Sequence, residues 1–284
     1  MSIAIVTDTA CNFTPESAEK NGIHLLPIEI TFGDKTYKDG FEITTQEFYE
    51  LMESSDIIPS TAQPKPIDVY QLYEKLSHDY DEILSINLGS TVSGTIETLN
   101  LVAKEIDQAN VTVYDTKLVS IPAGYLVLEA KRLVDEGKSV EEIIAHLDEL
   151  RDQSIAYAMV QDLDNLVESG RVPAVLGTVA KLAKIKPIIK IEAKNTKGLE
   201  ITDKIRTNKR AINKLIELVT QHIESIDYPF HIDIAHGNIP EVAEDIRLRL
   251  TNIYPDHEIK LHLLTSVIGA HSGPNIVGVF VGPK

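Results

Sequence analysis

Four polar clusters in this chain combine hydroxyls, carboxylates, glycines and a histidine, each where a strand or loop ends. Gly89-Ser90-Thr91-Val92-Ser93-Gly94-Thr95 stands between a β-rich run and a helical pattern. Gly89 and Gly94 permit close backbone approach, and the hydroxyls of Ser93 and Thr95 flank a helix start. Free N–H groups and the positive end of the helix dipole gather there, a setting for a carboxylate or a phosphate. Ser93 equally suits ordinary helix capping. The span has neither the Gly-Lys-Ser/Thr ending of a P-loop nor the Gly-x-Ser-x-Gly of a nucleophile elbow.

Pro59-Ser60-Thr61-Ala62-Gln63-Pro64 holds Thr61 and Gln63 between two prolines, so a stiff loop either presents a hydroxyl to a ligand or simply connects two elements. Thr7-Asp8-Thr9 follows the first strand, at the edge where open parallel sheets bind ligands. Asp8 serves there as a ligand contact or as an acceptor for loop amides. The last cluster is His271-Ser272-Gly273-Pro274, with His236-Gly237 and Gly170-Arg171 beside it in character. His236 reads as a structural hydrogen-bonding group, and Arg171 as a helix-start contact or an anion clamp. The nine histidines lack His-x-x-x-His or His-Glu-x-x-His spacing and Cys11 stands alone, so no metal or other cofactor is expected. No Gly-x-Gly-x-x-Gly follows the first strand, so no dinucleotide is expected either.

Alternating strands and helices must position these clusters. Ile3–Thr7, Ile23–Ile30, Glu82–Asn87 and Val111–Tyr114 predict strands. Thr14 before Pro15, Thr44 with Glu47, and Ser139 with Glu142 mark helix starts. Further helices are expected over Pro66–Leu76, from Gly94 to Ile106 and from Ile121 to Gly137. Strands separated by such helices imply right-handed crossovers and a mainly parallel sheet. Beyond residue 153 the pattern changes. Strands at Ile155–Val160, Ile185–Ile191, Phe230–Ala235, Ile259–Leu264 and Ile276–Val281 mix with a hairpin turn at 195–198. Long helices are expected over Arg206–Ile226 and Pro240–Tyr254. The expected organisation is an N-terminal α/β domain, 1–153, and a C-terminal α+β domain with a mixed sheet, 154–284.

The 284 residues are 43% hydrophobic and 25% charged, an ordinary globular balance. A single cysteine, a four-residue apolar run at the start and no membrane-length apolar stretch point to a soluble cytoplasmic protein. The formal charge of −16 disfavours nucleic acid as a partner. Against that background, eleven lysines and arginines face three acids between Lys181 and Lys214. That segment is a solvated face or a docking surface for an acidic partner.

In order, Ile5-Val6-Thr7-Asp8-Thr9, Pro27-Ile28-Glu29-Ile30-Thr31-Phe32-Gly33, Tyr37-Lys38-Asp39-Gly40, Thr61-Ala62-Gln63-Pro64, Ser93-Gly94-Thr95, Tyr114-Asp115-Thr116-Lys117, Glu168-Ser169-Gly170-Arg171, Lys186-Pro187 and Ile268 to Pro274 resemble the DegV family across the whole chain. That family includes the fatty-acid-binding (FakB) subunits of bacterial fatty acid kinase. The resemblance implies a two-domain DegV-like α/β fold with an acyl tunnel between the domains. It implies that Thr61 and the Ser93-Gly94-Thr95 turn hold the carboxylate, with His271 close by. Arg171 matches a family arginine near the carboxyl end, and Asp8 and Gln63 would lie near the headgroup or face the kinase. The chain departs from the family pattern at Ala62, Lys65, Ile96, Asn12 and Asn275.

The function so implied is that of a carrier, itself without catalysis. It binds one long-chain fatty acid and presents the carboxylate to a separate ATP-dependent fatty acid kinase, for acyl phosphate destined for phospholipid synthesis. Transient membrane contact is compatible with this role. Each buried methylene contributes about 0.8 kcal/mol, so a long chain supplies on the order of 10 kcal/mol before ordering costs. Two hydroxyls and a helix start then suffice for one carboxylate. The alternatives are a serine hydrolase using Ser93, His271 and Asp8 or Asp115, and a lipid-status sensor.

Overall fold

The computed structural model of the chain describes residues 2–161, 163–172, 185–195 and 199–284. In the N-terminal half, β1 (Ile3–Asp8), β2 (His24–Leu26), β6 (Glu82–Asn87) and β7 (Asn110–Asp115) form an all-parallel sheet in the order β2-β1-β6-β7. Helices α1 (Pro15–Lys20), α2 (Thr45–Ser54), α3 (Pro66–Ser77), α4 (Thr95–Ala103), α5 (Ser120–Asp135) and α6 (Val140–Gln153) make the crossovers and outer layers. The central strands read as apolar runs because helices cover both faces. Thr44 and Ser139 close capping boxes with Glu47 and Glu142, as their spacing predicts, and Thr14, read as an N-cap before proline, closes one with Ser17.

A second, small sheet joins β3 (Glu29–Phe32), β4 (Lys35–Lys38) and β5 (Ser60–Ala62) antiparallel, in the order β4-β3-β5. Its presence corrects two expectations. The single strand expected over Ile23–Ile30 divides at Pro27, which has no N–H to donate to a ladder, and its halves serve different sheets. The stiff loop expected at 59–64 contains a short strand that places Thr61 opposite Ile30.

The C-terminal half is a mixed six-stranded sheet in the order β10-β9-β8-β13-β11-β12. It comprises β8 (Ile155–Val160), β9 (Lys186–Glu192), β10 (Glu200–Ile205), β11 (Phe230–His236), β12 (Ile259–Leu263) and β13 (Ile276–Pro283), with β11 and β12 the parallel pair among them. The β9–β10 hairpin pairs as expected, while its turn residues 196–198 lie outside the described residues, as do Lys181 and Lys184 of the basic segment. The short helix α7 (Asp164–Glu168) follows β8, and α8 (Asn208–Glu224) and α9 (Pro240–Ile253) pack on one face of the sheet. Side-chain alternation sorts β8 between two cores. Ile155, Tyr157 and Met159 meet Leu215, Val219 and other residues beneath α8 and α9, whereas Ala158 and Val160 point to the opposite face. Among the described residues, no helix is long and apolar enough to cross a membrane.

That opposite face meets the N-terminal half through α10 (Ser266–Ser272), a helix whose seven residues show no clear apolar period in the sequence. Val267 and Ala270 enter the same buried cluster as Phe48 and Tyr49 of α2. Tyr49 Oη donates to Leu264 O at 3.2 Å, Thr265 Oγ1 to Thr9 O at 2.8 Å and Tyr125 Oη to Pro283 O at 2.8 Å. Burying one large aliphatic side chain contributes roughly 1.5–3 kcal/mol and one neutral hydrogen bond about 1 kcal/mol. Apolar contact therefore holds this seam, and the hydrogen bonds fix its register.

Gly269 lies at a close contact of the seam. A β-carbon there would stand 2.7 Å from Tyr49 Oη and 2.9 Å from Phe48 Cε1, both on fully buried rings. Gly269→Ala is expected to lower the unfolding free energy by about 2 kcal/mol in urea denaturation. A variant as stable as the parent would show that α10 shifts freely.

Candidate functional site

Three segments from distant parts of the chain converge at one point. Pairing of β5 with β3 fixes Thr61, and its Oγ1 lies 2.8 Å from His271 Nε2 on α10. The third segment follows β6 at the C-terminal edge of the parallel sheet. Gly89 N donates to Leu118 O at 2.7 Å, and a β-carbon on Gly89 would come within 2.6 Å of the Lys117 backbone, so only glycine fits there. The loop then turns through Ser93 and Gly94 into α4. Ser93 Oγ pairs with Thr95 Oγ1 at 2.9 Å and accepts from Thr95 N at 3.2 Å, which orients it at the helix start. The Gln63 side-chain oxygen occupies the space where a β-carbon on Gly94 would go.

Thr61, Gln63, Ser93, Gly94 and His271 all line one cavity of about 380 Å³, with Arg171 beside them. Its walls are otherwise apolar. Ile28, Leu88 and Val119 face it from the N-terminal half, and Ala158, Ile189 and Ile276 from the six-stranded sheet. Arg171 bridges the halves, donating through Nε to Val92 O at 3.3 Å and through Nη1 to Ser169 O. Thr95 does not line the cavity; it is fully buried and braces Ser93 instead. Ile268 and Ser272 of the His271 motif also line the cavity, as does Val267, which the sequence motifs do not include. The apolar pair just ahead of His271 was the available signal.

The electrostatics suit a neutral hydrogen-bonding end rather than a charged clamp. Burial, helped by the nearby Arg171 charge, pushes His271 down to about 4, so its imidazole is neutral at pH 7. Its Nδ1 is buried without a hydrogen-bond partner among the described residues. Burial also moves Arg171 below its usual value.

Asp8 lies beneath the surface and apart from the cavity lining. Fully buried, it accepts from Ala10 N at 2.9 Å, Asn87 Nδ2 at 3.0 Å and Leu88 N at 3.0 Å, and it does not line the cavity. Burial outweighs those donors and pushes its carboxyl up to about 6. Asp8 thus ties the ends of β1 and β6, the loop-amide role of the two that its position allowed. Asp115 is similarly engaged, by Ser90 and Lys117 N. Ser93 bonds Thr95, and His271 bonds Thr61. No Ser–His–Asp relay forms among the described residues. Those residues also contain no group of three or more histidine, cysteine or acidic side chains able to hold a metal ion.

Comparison with known proteins gives one consistent answer. The family model described as "Uncharacterised protein, DegV family" matches residues 2–284. Protein DegV of Bacillus subtilis is 32% identical over 280 residues, covering 98% of each chain. A DegV domain-containing protein of Listeria innocua is 32% identical over 278 residues, covering 98% of this chain and 97% of its own. The crystal structure of DegV from Bacillus subtilis, described as a fatty acid binding protein, superposes with a TM-score of 0.90 over 100% of both chains. A DegV family protein from Thermus thermophilus, described by its fatty acid binding, gives a TM-score of 0.89 at 25% identity over 100% of both chains. Matched along its length in both sequence and fold, this chain belongs to the DegV family.

Proposed function

We propose that the chain is a fatty-acid carrier that holds one long-chain fatty acid in the cavity between its two sheets. The single observation that carries this reading is the cavity's polarity. Apolar side chains line its walls, and hydroxyls, a neutral imidazole and a helix start gather at one end. The solved relatives described as fatty acid binding proteins support the same ligand. In this role Thr61 and Ser93 donate to the carboxylate, the Gly94 turn lets it approach α4, and His271 completes the polar end. Arg171 and Gln63 stand beside the carboxylate. We place the domain division at 153/154, between Gln153 at the end of α6 and Ile155 at the start of β8.

The carboxyl end then serves a separate ATP-dependent fatty acid kinase. Support comes from the sheet edge next to the cavity's polar end. There β13 begins with Ile276 beside Val160, and β10 ends with Ile205 beside Lys186. Lys204 at the end of β10 and Arg206, Lys209 and Arg210 just beyond it lie on that edge, exposed and without an ion pair among the described residues. Three of them precede or occupy the first turn of α8, where the helix dipole disfavours cations. A cluster retained against that cost, in a chain of formal charge −16, suits an acidic partner.

Mass spectrometry of lipid extracted from the purified protein tests the ligand directly, with stoichiometric fatty acid expected and its absence after loading counting against the reading. Ser93→Ala and Thr61→Val are each expected to weaken fatty-acid binding by about 1–3 kcal/mol while the fold persists. Wild-type affinity in both would show that the headgroup lies elsewhere.

Reversing the charge of Lys204, Arg206 and Arg210 together is expected to slow kinase-coupled acyl phosphate formation by on the order of tenfold at low salt. Fatty-acid affinity should stay constant. Unchanged coupling would reject this surface.

The neutral state of His271 has a pH consequence. Its folded value of about 4 lies below the ordinary 6.5, so the stability tied to it is present above pH 6.5 and fades as pH falls toward 4. Between pH 7 and pH 5 the wild type should lose about 2 kcal/mol that His271→Gln does not lose. Parallel losses in paired denaturation curves would contradict a buried neutral imidazole.

A further inference from the structure

Asp39 follows β4 and is a buried carboxylate that none of the roles above uses. It is 1% exposed, and neither side-chain oxygen completes a hydrogen bond among the described residues. Its neighbour Lys38 pairs instead with Asp68 at 2.9 Å, and no described cation forms an ion pair with Asp39. A buried carboxylate without partners costs several kcal/mol, so its surroundings must supply donors.

Those surroundings lie across the seam. The groups facing the carboxyl are the hydroxyls of Ser266 and Thr9 and the backbone N–H groups of Val267 and Gly40. Ser266 Oγ is itself buried and without a partner. Thr265, at the N-cap of α10, makes no side-chain cap because its hydroxyl donates to Thr9 O. The first turn of α10 therefore lacks a local acceptor, and the acceptor facing it belongs to the other domain. Backbone pairing holds Asp39 firmly in place. Asp39 N donates to Ile28 O at 3.0 Å, and Gly40, at φ +76° and packed on Pro15, fixes the turn that follows.

We infer that Asp39 is a positioning residue whose carboxylate caps α10 across the domain seam and thereby sets the place of His271 in the cavity. The polar end would then be assembled from the N-terminal domain on two sides. Thr61 meets His271 at the ring, and Asp39 grips the start of the helix that carries it. The inference rests on the carrier reading only for its effect on ligand affinity.

The test compares wild type, Asp39→Ala and Asp39→Asn by the NMR resonances of the His271 ring without ligand, by affinity for the fluorescent fatty acid cis-parinaric acid, and by urea unfolding. Asp39→Ala is expected to displace the His271 ring resonances and weaken binding by about tenfold or more. Asp39→Asn keeps an acceptor and should recover both to within about threefold in affinity. Where Asp39→Ala fails to fold, Ser266→Ala takes its place and should move the same ring resonances. Unmoved His271 resonances in the folded variant overturn the inference, as does an Asp39→Asn protein no better than Asp39→Ala. A wild type that binds no cis-parinaric acid defeats the carrier reading instead, and the ligand-free resonances still decide the role of Asp39.

Discussion

The hydrogen bond between Thr61 and His271 joins residues 210 positions apart, one on a strand and one on a helix, on opposite sides of the seam. Its 2.8 Å length holds only if β5 stays in register with β3 and α10 stays seated on α2. The rest of the architecture follows from that requirement. Pro27 releases the chain from the parallel sheet so that β3 can receive β5. Gly269 lets α10 approach Tyr49 closely, and the apolar residues of α10 bury themselves in the N-terminal core. Without these contacts the cavity would have walls but no organised end.

Desolvation governs the chemistry of that end. The protein uses neutral hydroxyls and an imidazole held neutral by burial, with its guanidinium turned onto backbone carbonyls. Neutral donors cost less to bury than a lysine and still satisfy one anionic headgroup. The same economy explains Asp8. Fully buried, it accepts from Ala10, from Asn87 at the end of β6 and from Leu88 just beyond, and so stabilises the strand ends on which the Ser93 turn depends.

The site was legible in the sequence to the extent that its chemistry is local. Hydroxyls between prolines, a glycine-flanked turn before a helix, and a histidine before Gly-Pro all signalled polar ends of elements, and the strands of the two large sheets announced themselves by apolar runs. Asp8 remained ambiguous because a carboxylate at a strand end looks alike whether it meets a ligand or loop amides; only burial separates the two. The small sheet and α10 were hidden for a different reason. β3, β4 and β5 are three or four residues long, too short to show a period, and α10 is apolar on the sides facing both domains, so no amphipathic stripe marks it. Long-range contacts, rather than local preference, make those elements.

The break at Pro27 has an effect on how copies of the protein behave toward one another. It leaves β2, the outermost strand of the parallel sheet, only three residues long and closed by a residue that cannot extend a ladder. At the outer edge of the larger sheet, β10 carries a bulge between Ile201 and Asp203 and exposes charged residues. Truncated, kinked and charged rims give a stray strand little to add to, so a molecule with a greasy interior keeps its β-structure from templating aggregates.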